Sequence, residues 1–182
     1  MNDEITSEAF SRKLKKRNKE AFRILYEEFK IPLYNLVISL VKDNDRTADI
    51  IQDTFIKIIK NIHQLEDIKK IKYWIFRIAV NLSFNALKKD KRLSYAGDEL
   101  ENIVDQSVPH PYSSRQNDDL EELYYWVQQQ VVQLPLKHRV VFTLKYMDNF
   151  KETEIAEILG IPVGTVKSRL STARNKIKEK LT

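Results

Sequence analysis

Two apolar-periodic segments near the C-terminus meet at Gly160-Ile161-Pro162, in the stretch "EIAEILGIPVGTVKSRL". Glycine ends a helix well because it tolerates the left-handed backbone conformation. Proline suits the start of the next helix because its φ is fixed and it has no N–H to satisfy. Ala156 is small, as is needed where two helices cross closely. The stretch therefore predicts a helix-turn-helix.

The second helix of this predicted pair is polar on its outward side. Short hydroxyl side chains can reach base edges, and long cationic ones can reach phosphates, when such a helix enters a major groove. An ordinary helical hairpin with a solvated basic face is the alternative, but the turn residues and the charge together favour DNA binding. The residues of this outward set are Thr165, Lys167, Ser168, Arg169, Ser171, Thr172 and Arg174.

Composition restricts both the fold class and the chemistry. Only three glycines occur in 182 residues, and no Asn-Gly or Asp-Gly lies between alternating strands. The sequence therefore predicts an all-α protein. The chain contains no cysteine, which excludes disulfides and thiolate metal sites, and no motif indicates a cofactor.

Charge is distributed in blocks, although the formal net charge is only +5. Residues 69–92 hold eight cations and one acid, and residues 163–182 hold six cations and one acid. Between them, residues 98–122 hold eight acids and one cation. Two basic blocks separated by an acidic one indicate two contacts with a polyanion and a segment that stays off it. Accidental clustering of solvated charges is the alternative.

Apolar periodicity divides the chain into two small helical domains. The first, residues 1–92, is expected to contain N-terminal helices, a break at Pro32 and a longer final helix. Residues 93–118 lose the pattern and contain two prolines, which predicts a flexible linker. Residues 119–182 form the second domain, with the helix-turn-helix at its end. Within the first domain, one helix is expected to bury the stripe Ile51, Phe55, Ile58, Ile59 and Ile62.

The final helix of the first domain has a second face suited to nucleic acid. One side of "YWIFRIAVNLSFNALKKDKR" is apolar. The other side carries amides, which can hydrogen-bond base edges, and cations, which hold phosphates. Tyr73 and Trp74 at its start can stack on unpaired bases, although a tryptophan in this position is more often a core residue. The polar side comprises Arg77, Asn81, Asn85, Lys88 and Lys89.

Three of these segments together resemble a known family. "DIIQDTFIKIIKNI", "YWIFRIAVNLSFNALKK" and "EIAEILGIPVGTVKSRLSTARNKIK", in this order and with a degenerate linker before the third, are similar to extracytoplasmic-function sigma factors of the sigma-70 superfamily. The resemblance implies a bacterial transcription-initiation subunit with two helical domains. It also implies that the first domain recognises and opens the −10 promoter element, and that the second recognises the −35 element.

The resemblance assigns roles to the candidate residues. It implies −35 recognition by the outward set of the helix-turn-helix, and docking on the polymerase clamp by Asp49, Gln52 and Asp53. The acidic linker resembles the family segment that runs through the polymerase active-site cleft, where negative charge avoids competition for DNA. For the −10 element it implies Tyr73, Arg77, Asn81, Asn85, Lys88 and Lys89, with Asn81 in the base-recognising set.

The sequence departs from the family pattern in two places. The loop before Trp74 is "QLEDIKKIK" and lacks the Phe-Arg-Gly type sequence common in the family, so capture of a flipped −10 base does not carry over. Ser171 and Thr172 stand where relatives can have bulkier or cationic residues. The −35 sequence that relatives recognise can therefore not be transferred to this chain.

Partners and location follow from the resemblance. It implies core RNA polymerase, promoter DNA and an anti-sigma factor as partners, for a protein that is monomeric when free. The N-terminus has no apolar core like that of a signal peptide, and the longest apolar stretch, residues 31–41, is too short to span a bilayer. We therefore expect a cytoplasmic protein that is not embedded in a membrane.

Two other classes of protein are alternatives. An autonomous helix-turn-helix regulator needs a dimer interface or a ligand pocket, and the sequence has no heptad zipper and no obvious sensor domain. A DNA-processing enzyme needs a nucleophile with partners, or clustered carboxylates that hold a metal. His63, His110 and His138 are scattered, and we expect them to be solvated. No enzymatic activity is predicted.

Overall fold

The structure, a computed structural model, describes residues 3–93 and 118–180, with side chains over 4–89 and 126–180. Every regular element within these ranges is helical. The all-α prediction is therefore confirmed. The predicted linker, residues 93–118, lies outside the described residues except for its first and last positions.

The described residues form eight α-helices, joined by short 3₁₀ turns and one π turn. The N-terminal half contains α1 (Glu8–Lys15), α2 (Lys19–Val41), α3 (Asn44–Asn61) and α4 (Ile71–Leu93). The C-terminal half contains α5 (Asp118–Gln133), α6 (Leu136–Phe142), α7 (Glu152–Leu159) and α8 (Val163–Lys178). The 3₁₀ turns are Asp3–Thr6, Ile62–Gln64 and Ile68–Lys70, and the π turn is Thr143–Met147.

Short polar side chains define where the first three helices begin. Ser7, Asn18 and Asp43 each precede a helix in extended conformation and accept a hydrogen bond from the backbone N–H three residues later. Each cap satisfies one of the N–H groups that a helix start leaves without a partner, and contributes about 1 kcal/mol. α1 and α2 are therefore separate helices, divided at residues 16–18.

The sequence suggested that a helix is interrupted at Pro32, and the structure shows that it is not. It lies inside α2, which continues from Lys19 to Val41. A proline in a helix interior costs roughly 3 kcal/mol, since it removes one backbone hydrogen bond and crowds the preceding turn. The helix survives because its apolar side is buried along its whole length: Leu25, Phe29, Leu33 and Leu36 are at most 3% exposed.

One hydrophobic core runs through both halves of the described protein. α2, α3 and α4 pack against one another, α2 also packs on α6, and α4 also packs on α7. Buried residues of α6 and α7, such as Val140 and Ile155, belong to the same cluster as Leu36 and Ile75. The rings of Phe76 and Phe150 meet edge to face with centroids 4.8 Å apart. The two halves therefore lie in direct contact.

A smaller second cluster holds the C-terminal half together. It joins α5, α6 and α8 through Val131, Leu134, Phe142, Ala173 and Ile177. α5 ends where Leu134-Pro135 leads into α6, as predicted from the proline. No helix among the described residues is long and apolar enough to cross a membrane.

His138 differs from its predicted solvated state. It is only 8% exposed, because α8 packs over α6, and its Nδ1 lies 3.3 Å from the backbone carbonyl oxygen of Arg169. Burial holds the pKa of His138 below its ordinary value, and the contact with the carbonyl opposes this effect. His63 is exposed as predicted, and His110 lies outside the described residues.

Candidate nucleic-acid interface

The turn between α7 and α8 has the geometry that its sequence predicts. Gly160 ends α7 in the left-handed conformation, at φ 65° and ψ 37°, and Pro162 directly precedes α8. The Ile161 N–H donates to the Ala156 carbonyl at 3.0 Å and closes the turn. The two helices share a buried contact that includes Ile155, 0% exposed, and Val166, 0% exposed. α8 is thus fixed against α7 with its polar side free.

The outward side of α8 presents most of the predicted set to solvent. Thr165 and Arg169 are the exceptions, since both are half-buried. The Ser168 hydroxyl donates to the Thr165 carbonyl at 3.0 Å, and the Thr172 hydroxyl donates to the Ser168 carbonyl at 3.1 Å. These hydroxyl oxygens keep their lone pairs for an external donor. The exposed members are Lys167, Ser168, Ser171, Thr172 and Arg174.

Lys167 is oriented by an acid from the preceding helix. Its Nζ lies 4.0 Å from a carboxylate oxygen of Glu152 at the start of α7, and its side chain is still 66% exposed. A pair this exposed contributes at most about 1 kcal/mol, so a phosphate or a base can replace the carboxylate at little cost.

The predicted second face lies on α4 as one continuous exposed stripe. Its members recur every three or four residues, which places them on one side of a helix. From the first to the last the stripe covers about 18 Å, roughly the length of five base steps. It consists of Arg77, Asn81, Asn85, Lys88 and Lys89, all exposed.

The aromatic residues at the start of α4 are intermediate between core and surface. Tyr73 and Trp74 are both half-buried and pack against the hydrophobic core. Tyr73 accepts a hydrogen bond from Arg77 Nη1 at 3.1 Å, so its phenol is tied to the exposed stripe. Trp74 therefore has the packing contact that the sequence favoured for it, and Tyr73 links that packing to the polar side.

The third predicted set lies on α3, next to an apolar groove. Asp49, Gln52 and Asp53 are exposed, while α3 buries its opposite side through Ile50 and Ile58. The groove between α2 and α3 has a volume of about 730 Å³ and includes Gln52 in its lining. Exposed apolar side chains around it are Tyr26 (44%), Ile31 (49%), Ile56 (39%) and Ile59 (40%).

The sequence missed this groove for an identifiable reason. Helical periodicity put Ile59 on the inward stripe with Ile58, and the structure shows that this is wrong because Ile59 faces outward. α2 leaves an open groove on that side of α3, so the stripe is wider than the surface that covers it. Ile58 and Ile59 are adjacent in the sequence, and adjacent residues of a helix point in different directions. This adjacency was the available signal that one of the two stays uncovered.

Two buried charged groups lie where the halves of the protein meet. Arg139 is 3% exposed, and burial lowers its pKa to about 10. Asp148 is 8% exposed, and burial raises its pKa to about 7, while the Lys72 ammonium group acts in the opposite direction. Lys72 donates to the Asp148 backbone carbonyl and lies over the ring of Phe150, 4.4 Å from its centroid. Sequence patterning gave no sign of either group.

No group of three or more His, Cys, Asp or Glu side chains capable of holding a metal ion occurs among the described residues.

A helix-turn-helix with an exposed basic helix, together with a second basic helix face on an all-helical fold, defines a DNA-binding protein. Comparison with known families narrows this class. The family description "Sigma-70 region 2" matches residues 25–93, and "Sigma-70, region 4" matches residues 124–177.

Curated relatives agree along almost the whole length. The chain is 33% identical over 175 residues to an ECF RNA polymerase sigma factor, SigW, of Bacillus subtilis, covering 93% of this chain and 94% of the relative. It is 30% identical over 186 residues to the ECF RNA polymerase sigma-E factor of Escherichia coli K12, covering 100% of this chain and 97% of the relative. The chain belongs to the sigma-70 family, as a sigma factor of the extracytoplasmic-function type.

Solved structures share the fold. The sigma factor RpoE of Bartonella quintana, in complex with the anti-sigma factor NepR, superposes with a TM-score of 0.68 at 25% identity, covering 87% of this chain and 97% of that one. CnrH, in complex with the cytosolic domain of CnrY, superposes with a TM-score of 0.66 at 19% identity, covering 95% of each chain. The second likeness supports the fold alone.

Proposed function

We propose that this sigma factor divides promoter recognition between its two basic helix faces. As a sigma factor of this type, the chain directs core RNA polymerase to specific promoters and assists the opening of their DNA. In the proposed division, α8 contacts the −35 element and α4 contacts the −10 element. The observation that carries the proposal is that both faces are exposed, basic and rigidly supported by buried packing on their other side.

The proposed −35 contact uses the outward side of α8. Lys167 and Arg174 provide cations for phosphates or guanine edges. Ser168, Ser171 and Thr172 provide short hydroxyls, which can approach base edges closely, and Thr165 lies one turn before them at the helix start. Arg169 is half-buried, so we assign it a contact with the DNA phosphate backbone rather than with a base.

The proposed −10 contact uses the exposed stripe of α4. Asn81 and Asn85 each present an amide that can pair with a base edge, and they lie one helical turn apart. Lys88 and Lys89 follow at the C-terminal side and hold phosphates. Tyr73 lies at the other end of the stripe, where its ring can stack on an unpaired base once the strands separate.

The proposed docking surface for core polymerase combines the acids of α3 with the neighbouring groove. Asp49 and Asp53 supply negative charge, and Gln52 lies between them at the groove edge. Exposed Ile56 and Ile59 supply apolar area that is costly to leave in water. A partner helix with an apolar stripe flanked by cations fits both features.

Domain limits, location and regulation complete the proposal. The two functional units are residues 1–92 and 119–182, connected by the acidic segment 93–118. Because its partners are core RNA polymerase and promoter DNA, the protein acts in the cytoplasm. It is a monomer before it joins the polymerase. It has no catalytic activity of its own. An anti-sigma factor binds it, as the anti-sigma factor NepR forms a complex with RpoE of Bartonella quintana.

Transcription in vitro tests the proposal directly. The protein is added to bacterial core RNA polymerase on a library of randomised promoters, and the initiated transcripts are sequenced. Enrichment of paired −35 and −10 motifs is the expected result. If an active, cognate polymerase gave no initiation while the protein alone selected a DNA site, an autonomous regulator would replace the sigma-factor assignment.

A further inference from the structure

The end of the first helix and the turn that follows it carry a third basic surface, apart from the proposed promoter contacts of α4 and α8. Six of the eight residues from 12 to 19 are cations, and none of the eight is an acid. All six are exposed. None of them forms an ion pair with any residue in the part of the chain that the structure describes. We call them the α1 cations: Arg12, Lys13, Lys15, Lys16, Arg17 and Lys19.

Folding does not require these charges. α1 is anchored by Phe10 and Leu14, which are 1% and 0% exposed, and its start is capped by Ser7. The helix ends through backbone bonds alone, with the Arg17 N–H donating to the Leu14 carbonyl at 2.9 Å. Six like charges within eight residues, without ion pairs in the described part of the chain, repel one another, which weakens the folded state. A surface of this kind is favourable when a polyanion covers it.

The α1 cations lie next to the start of the proposed −10 helix. Arg12 and Lys15 line an open groove of about 540 Å³ whose other wall includes Lys69, two residues before α4 begins. Glu8, Glu66 and Asp67 also line the groove, which makes its interior neutral overall; Asp67 caps the turn by accepting the Lys69 N–H at 2.9 Å.

The outer side of α1 is different in charge from the groove. Lys13 lies outside the groove on α1, and Lys16 and Arg17 lie outside it just beyond the helix end. All three are exposed, and no acid lies between them in the sequence. A nucleic-acid backbone that runs along these three residues would meet phosphate-binding groups in succession.

We propose that α1 is a third contact to promoter DNA, and that its cations bind the phosphate backbone flanking the −10 element. This inference rests on the proposed function of α4. Lysine and arginine side chains on phosphates position a protein without selecting a base sequence. The contact therefore contributes affinity and salt dependence to promoter binding, and leaves sequence preference to α4 and α8.

The test measures salt dependence with the complete holoenzyme. A promoter selected by the wild-type holoenzyme is titrated at several salt concentrations, and log K is plotted against log salt. Each phosphate contact adds about 0.9 to the slope on duplex DNA and about 0.7 on a single strand. The triple variant Lys13→Gln, Lys16→Gln, Arg17→Gln is expected to reduce the slope by about 2 to 3, with an unchanged preferred promoter sequence.

A matched variant separates charge from shape. Lys13→Arg, Lys16→Arg, Arg17→Lys keeps all three charges and should retain the wild-type slope. Affinity for core polymerase without DNA is measured for both variants and is expected to be unchanged. A glutamine variant with the wild-type slope would overturn the proposal, and so would a loss of core affinity with no change in slope, since α1 would then dock a protein. Failure of wild-type holoenzyme to initiate would instead count against the proposed function itself.

Discussion

Arg139 and Ser39 are one hundred positions apart in sequence and in direct contact in the structure. Nη1 of Arg139 donates to the backbone carbonyl of Ser39 at 2.9 Å. The bond joins α6 of the C-terminal half to α2 of the N-terminal half. Nε of the same guanidinium is buried without a hydrogen-bond partner among the described residues. The closed arrangement of the two halves therefore contains an incompletely satisfied buried charge.

The closed arrangement is too small to contact both promoter elements at once. The −35 and −10 elements are centred about 25 base pairs apart, which is about 85 Å of duplex at 3.4 Å per step. A compact chain of 182 residues has a radius of gyration of about 16 Å and a diameter of about 40 Å. In the proposed division of promoter contacts, the two halves therefore have to separate when both elements are bound.

We predict that Arg139→Met stabilises the closed arrangement and weakens transcription. Methionine has a similar length and no charge to desolvate, so the free energy of unfolding should rise by about 1 to 3 kcal/mol. Because the halves must separate at a promoter, initiation should fall. Denaturant unfolding and single-round transcription measure the two effects. Arg139→Ala is the control, since it also removes the charge but leaves a cavity; equal destabilisation by both substitutions would contradict the prediction.

Stability should depend on pH through Asp148. Its folded-state pKa of about 7 lies above the ordinary value of 3.8, so the folded protein binds more protons than the unfolded chain between these values. Stability contributed by the protonated carboxyl is complete below about pH 4 and is lost as pH rises to about 7. At pH 8, Asp148→Asn should be more stable than the wild type by up to about 4 kcal/mol, since the shift is about three units.

The comparison across pH isolates the effect of Asp148. Unfolding free energies of the wild type and Asp148→Asn are measured from pH 4 to pH 8, and their difference should shrink towards acid pH. Lys72 and Glu28, which line the same cavity of about 310 Å³, are present in both proteins. A difference that stays constant over the whole range would show that the pKa of Asp148 is the same in the folded and unfolded states, and would contradict the prediction.

Substitutions on the two promoter faces should relax specificity at different elements. Lys167→Ala removes a cation from α8, and Asn81→Ala removes an amide from α4. Each lost base contact is expected to cost about 1 to 3 kcal/mol of discrimination at its own element. Sequencing of transcripts from promoter libraries identifies the bases that each variant tolerates. If both variants tolerated the same base changes, the division between α8 and α4 would be incorrect.

Reversing the charge of α3 should weaken docking on core polymerase. Asp49→Lys with Asp53→Lys replaces two exposed acids by cations, and Ile59→Ser removes apolar area from the neighbouring groove. Both variants should bind core enzyme at least several-fold more weakly, because one loses charge complementarity and the other loses buried area. Fluorescence anisotropy with labelled protein measures the affinity. Glu157, exposed on α7, provides a charge-reversal control that should leave affinity unchanged.

Local rules explain the parts of the fold that the sequence predicts correctly. The Gly160 turn, the helix-turn-helix and the polar stripe of α4 depend on residues within a few positions of one another. Backbone preferences and helical periodicity determine such features before any distant contact forms. The family-specific segments contain the same residues, and this is why the resemblance and the residue chemistry point to the same faces.

The errors share a different origin. Pro32 lies inside a helix because the burial of α2 outweighs a local penalty. Ile59 is exposed because α2 leaves an open groove on that side of α3, and His138 is buried because α8 packs on α6. In each case the outcome depends on which element packs against which, and periodicity along one segment contains no information on its neighbours.

The sequence by itself determined that this protein is helical, that it carries a helix-turn-helix, and that it belongs with the extracytoplasmic-function sigma factors. Those properties follow from local backbone preferences and from the order of residues along the chain. Only the tertiary structure decided that the two halves close on one core, that Arg139 and Asp148 are buried there, and that an apolar groove lies beside the acids of α3. These depend on desolvation and packing between segments as much as one hundred residues apart, which the order of residues along one helix does not specify.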